Sequence, residues 1–123
     1  VKTYAYLCFN QLKQNNMSSK NFNNDLDTLE AEVSNYFSEL LANQKEITIF
    51  EEVDLEHDTP DDYLECRNDI TGNVFDVHPL KVTENGILVV EADGSFTRHL
   101  IRLQDLSSIQ DRINLVELME NNL

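Results

Sequence analysis

Two dipeptides, Asn85-Gly86 and Asp93-Gly94, constrain this chain more than anything else in it. Each suits a two-residue hairpin. A type I′ turn demands positive φ at both central residues, and Asn, Asp and Gly meet that demand at the least cost. Between them Ile87-Leu88-Val89-Val90 is apolar and β-branched, the composition of a central strand. The stretch 73–106 therefore reads as an antiparallel meander of three strands that the rest of the chain must cover. Pro79 lacks an N–H to donate, so it predicts an edge position or a bulge in the first of these strands. In the last, Arg98 and His99 intrude between Phe96 and Leu100-Ile101, which predicts a bulge that shifts the second hairpin.

Helical periodicity supplies the cover. Over 25–43, Leu26, Leu29, Val33, Phe37, Leu40 and Leu41 recur at steps of three and four, and Tyr36 widens the stripe. Asn24 is placed to cap this helix, Asp25, Asp27 and Glu30 suit its positive end, and Asn43 is an acceptable stop. A second helix begins near Ser107, which stands in capping-box spacing with Gln110. Ile109, Ile113, Val116 and Met119 form its inner stripe, broadened by Leu115 and Leu118. Residues 2–14 fit a helix, with Lys2, Tyr6, Asn10 and Lys13 on the polar side, or a buried strand over Tyr4 to Phe9; the helix formers Gln11 to Gln14 favour the helix. Residues 15–24 have loop composition, with Met17 and Phe22 as isolated apolar anchors. Residues 47–53 look like a fourth strand. Thr59-Pro60-Asp61-Asp62 carries the signature of a short helix to about Arg67, with Thr59 as cap and Pro60 at the first position.

The expected fold is α+β: an antiparallel meander sheet of about four strands with two or three helices on one face. Its core is expected to hold Leu29, Val33, Phe37, Leu40, Ile49, Val77, Leu88, Val90, Ile109, Ile113 and Val116. At 123 residues the length suits one domain spanning 1–123. Neither a membrane-length apolar run nor the apolar core and cleavage site of a secretory signal is visible, so a cytoplasmic protein is expected. Cys8 and Cys66 stand in no metal or redox spacing and read as two reduced, partly buried thiols.

Motifs of catalysis are wanting. Gly72, Gly86 and Gly94 make no phosphate-cradling loop, and His57, His78 and His99 stand apart from one another and from any metal-ligand pairing. A thiol nucleophile built from Cys66, Asp62 and a distant histidine would require the fold to assemble it. No cofactor and no catalytic residue is assigned, and the chain reads as a non-enzyme.

The formal charge of −14 disfavours nucleic acid and anionic membranes as partners and favours basic proteins or cations. It concentrates between Glu51 and Asp76, where ten acids face one basic residue, Arg67. Three arrangements compete for this stretch. In an extended segment Glu52, Asp54, Glu56 and Asp58 would repeat on one side at about 6.7 Å, an anionic ladder for a basic surface. Counted from Asp54, acids at Glu56, Asp58, Asp62 and Glu65 also match ligand positions of a calcium loop, but Thr59 replaces the glycine of the sharp turn and a strand precedes it. The third is a solvated loop and edge strand protected from aggregation by charge.

The leading functional expectation is a small acidic interaction module, of inhibitor, immunity or regulatory type. It would meet a basic protein partner through Glu51, Glu52, Asp54, Glu56, Asp58, Asp62 and Glu65. The alternative is a small-molecule or cation-binding domain, or an enzyme, with a pocket between sheet and helices. Neither reading specifies an oligomeric state.

Overall fold

The computed structural model describes Phe22 and residues 25–123. The helix expected over 2–14, the connection at 15–24 apart from Phe22, and Cys8 lie outside the described residues; the cap expected at Asn24 falls instead on Asp25.

The fold is α+β. Helix α1 (Leu26–Asn43) is capped by Asp25, whose carboxylate accepts the Asp27 N–H at 3.2 Å. It buries Val33 and Leu40 and half-buries Leu29, Tyr36, Phe37 and Leu41, the stripe its periodicity predicts; Leu26 is exposed. Helix α2 (Ile109–Asn121) starts one residue later than the sequence suggests. Ser108 is the cap, accepting the Asp111 N–H at 3.2 Å and donating its hydroxyl to the Asp111 carboxylate at 2.6 Å. Its buried stripe is centred on Leu115, Val116 and Met119, with Ile113 and Ile109 at its margin. The two helices meet through the Tyr36 hydroxyl on Glu120 and an Arg112–Glu30 ion pair at 3.5 Å.

Five strands form one antiparallel sheet: β1 (Glu46–Thr48), β2 (Leu64–Arg67), β3 (Val74–Thr83), β4 (Gly86–Glu91) and β5 (Arg98–Ile101). The last three are the expected meander. β1 and β2 share one edge of β3: Leu64 to Arg67 pair with Val77 to Val74, and Glu46 to Thr48 pair with Thr83 to Lys81. The sheet is thus four strands wide. Between these two pairings lies Pro79, where β3 bulges. Pro79 pairs with Val89 and Lys81 with Leu88, leaving Leu80 as the extra residue. The Leu80 carbonyl takes the Ile49 and Phe50 amides at 2.7 and 3.1 Å, so the gap in the ladder is bridged.

Several expectations fail for identifiable reasons. The helix expected from Pro60 to Arg67 is strand β2, because the alternation of buried Leu64 and Cys66 with Glu65 and Arg67 outweighs the capping signal before it. The strand expected over 47–53 stops at Thr48. The first tight turn is Glu84-Asn85, with no positive φ at either residue; Gly86 carries it, at φ 149°, as the first residue of β4. A Cβ there would meet the Ile101 carbonyl oxygen at 2.9 Å, so glycine is required for space as well as for backbone. The second link is not a two-residue turn. It runs over 92–97, with Gly94 at φ 92° and Phe96 at φ 55°. No bulge follows it: Ile87 pairs with Ile101, Leu88 with Leu100, Val89 with His99 and Val90 with Arg98.

That register sets the two faces of the sheet. Val77, Val82, Ile87, Val89 and Ile101 join Val33, Leu40, Leu115, Val116 and Met119 in the main core under the helices. Leu88 and Val90, expected there, point the other way; Val90 is buried but lies outside that cluster, as are Leu80 and His78. Among the described residues no helix is long and apolar enough to cross a membrane.

Candidate functional site

The acidic stretch is fastened to the second face at several points. After the two amide bonds to Leu80, the chain winds into a 3-10 helix over Glu52–Glu56, closed by Asp54 N–H on Glu51 O and His57 N–H on Asp54 O, each 3.0 Å. The anionic ladder is therefore not formed. With three residues per turn, positions i and i+3 share a side. Glu52 and Leu55 turn toward the sheet, where Leu55 is half-buried and Glu52 pairs with Arg98 of β5. Val53, 78% exposed, turns outward among Asp54 and Glu56. On the same face Lys81 pairs with Glu46 at 3.0 Å. That bond, with lesser help from Glu51 and Glu52, raises the lysine's pKa.

The far end of the segment is held by His78. Its Nδ1 lies 2.9 Å from the Asp62 carbonyl, which can only accept, so Nδ1 carries the proton; the ring packs on Tyr63 with centroids 4.9 Å apart. Pro60 is buried beneath this turn. No sequence motif marked His78 for this role; its position beside Pro79, opposite Val90, is the sole hint.

The seven residues singled out from sequence thus fall into three groups. Asp54, Glu56 and Asp58 are exposed, and with neighbouring Asp61 they make no side-chain hydrogen bond or ion pair among the described residues. Glu51 and Glu52, also exposed, are directed at the cations of the sheet. Asp62 and Glu65 are half-buried and structural. Glu65 fastens β2 to the start of α2: its carboxylate accepts the Ser107 hydroxyl at 2.7 Å, its carbonyl the Ser107 amide at 2.8 Å, and its own N–H bonds Asp111 at 3.2 Å. The calcium-loop spacing fails with it. Glu65 lies in a strand, and among the described residues no three His, Cys, Asp or Glu side chains converge as a metal site.

The Cys66–Asp62–histidine arrangement does not assemble either. Cys66 is buried against Leu106, and burial, with Asp105 and Asp111 nearby, pushes its thiol up to about 12. Such a thiol stays protonated and is a poor nucleophile. His78 serves Asp62, and His99 meets Glu91 at 2.7 Å on the helix side of the sheet.

A groove of about 520 Å³ opens between the second half of α1 (Ser34, Phe37, Ser38, Leu41), the β3–β4 turn and Arg102-Leu103. Its lining mixes apolar and polar side chains, and Arg102 among them is engaged by Asp105 at 3.2 Å. The chain matches no protein-family profile, no curated protein and no solved structure.

Proposed function

We propose that the chain is a non-catalytic interaction module that presents the acidic turn of residues 51–61 to a basic protein surface. One observation carries this reading: Asp54, Glu56, Asp58 and Asp61 are exposed and form no ion pair among the described residues, on a segment whose ends are fixed by Leu80, His78 and Arg98. Anchored carboxylates lose less freedom on binding than those of a loose loop, and their field favours fast, salt-sensitive association. Glu52 and the Asp62 carbonyl then hold the turn in place, while Glu65 joins β2 to α2.

The test compares two variants of equal charge. One carries D54N, E56Q, D58N and D61N; the other removes four acids elsewhere, at Asp27, Glu39, Asp69 and Glu84. A partner captured from host lysate at low salt should be released at high salt, lost by the first variant and kept by the second. Equal capture by both variants, or capture indifferent to salt, would overturn the proposal.

The groove beside α1 supports a second reading, a small-molecule site. Thermal melts with calcium, magnesium and a metabolite panel separate the two, because a ligand that binds only the native state raises Tm by mass action.

A further inference from the structure

Asn85-Gly86 and Asp93-Gly94 differ chemically as much as they differ in backbone. Asn85 is the one asparagine of the chain followed by glycine. That matters because the amide nitrogen of the next residue can attack an asparagine side chain, and any Cβ on that next residue obstructs the approach. Asn85 is exposed at the tip of the β3–β4 turn. Its backbone N–H is held by the Thr83 hydroxyl at 3.1 Å, whereas its side-chain amide has no hydrogen bond among the described residues.

We propose that Asn85 is a site of spontaneous covalent modification, converting in the folded protein to aspartate and isoaspartate. The Gly86 nitrogen attacks Cγ of Asn85 and closes a five-membered imide. The Cγ–Nδ2 bond breaks, and the side-chain nitrogen leaves as ammonia, taking up the proton lost from the Gly86 N–H. Water then opens the ring. Attack at one carbonyl restores an ordinary aspartate; attack at the other reroutes the main chain through the side-chain carbon. Water is the only co-reactant.

Asp93-Gly94 is protected from the equivalent reaction. Its closure starts from a protonated carboxyl, and the Asp93 carboxylate accepts the Ser95 hydroxyl at 2.6 Å and the Ser95 N–H at 2.9 Å. These bonds hold its pKa below the ordinary range, so it stays ionised and fixed.

The consequences reach the sheet. Isoaspartate adds a bond to the main chain inside a two-residue turn closed by the Thr83–Gly86 pair, next to a glycine packed against the Ile101 carbonyl. It also adds a carboxylate beside Glu84, at the lip of the groove. Converted molecules should therefore melt at lower temperature.

The test incubates the intact folded chain in mildly alkaline buffer at physiological temperature, followed by peptide mass mapping and an isoaspartate-specific methylation assay. Position 85 should convert several-fold faster than any other asparagine, position 93 should stay unchanged, and N85Q should abolish the signal from that peptide. Position 85 still intact at the end of the incubation, converting no faster than the other asparagines, or converting only after unfolding in urea, would overturn the proposal.

Discussion

The two faces of the sheet are covered by opposite means. On one, α1 and α2 lay continuous apolar stripes on Val77, Val82, Ile87, Val89 and Ile101. On the other, which carries His78 and Val90, an irregular segment is held by two amides on the Leu80 carbonyl, one imidazole bond to Asp62 and the Glu52–Arg98 pair. Leu100, on that face, remains 62% exposed. A helical cover is cohesive, because removing any part of it exposes a whole stripe; a cover held at a few points opens locally. The two faces should therefore fail differently, the first globally and the second by loop opening.

The largest expected effect belongs to the helix face and to alkaline pH. Cys66 has a folded pKa of about 12 against 9.0 for a free thiol, so its contribution to stability is whole below pH 9 and is lost as pH rises toward 12. At about 1.4 kcal/mol per unit, the full loss is roughly 4 kcal/mol. Urea melts of the wild type should weaken more steeply over that window than those of C66A, and native Cys66 should resist alkylation until the chain unfolds. Next is L115A, which should cost about 3 kcal/mol in global stability by emptying a fully buried site. On the loop face V90A should cost less, about 1.5 kcal/mol, since two methyls are lost and an irregular cover can settle onto the space. Hydrogen exchange sharpens the contrast. V90A should speed exchange at the Ile49 and Phe50 amides before it touches α1, and uniform acceleration across both covers would erase the distinction between the faces.

What could be read in advance follows the same division. Regular periodicity announced α1, α2 and the meander, because a helix stripe and an alternating strand each write one physical constraint many times over. Single-residue signals fared worse. Thr59-Pro60 reads as a helix start in isolation, but Leu64 and Cys66 need the edge of β3, and a pairing with partners ten or so residues away leaves no local mark. The side to which β4 presents Ile87 and Val89 rather than Leu88 and Val90 could not be read from four consecutive apolar residues, since a one-residue slip exchanges the faces. The acidic stretch misled for a different reason. Alternating charges suggest a strand, but Glu52 finds Arg98 only by curling back over the sheet, and Glu65 finds Ser107 across the chain. Position in three dimensions, not spacing, decided which carboxylates became structural.

The smaller effects test that sorting within the acidic stretch. S108A, which removes the α2 cap on the helix side, should cost about 1 kcal/mol. E52Q removes one partner of a half-exposed ion pair and should cost about 0.5 kcal/mol, with faster exchange confined to the loop. Smallest of all, the triple variant D54N/E56Q/D58N should stay within about 0.5 kcal/mol of wild type, because these side chains hold nothing in place among the described residues. Relief of repulsion among neighbouring carboxylates in a chain of net charge −14 pushes toward slight stabilisation, most visible at low salt and fading as ions screen it. A loss comparable to that of V90A would mean that these carboxylates fasten the loop as Glu52 does, and would leave no unengaged acidic surface for a partner to read. Unchanged stability together with lost partner capture would separate holding the cover in place from recognition, within a few residues of the same turn.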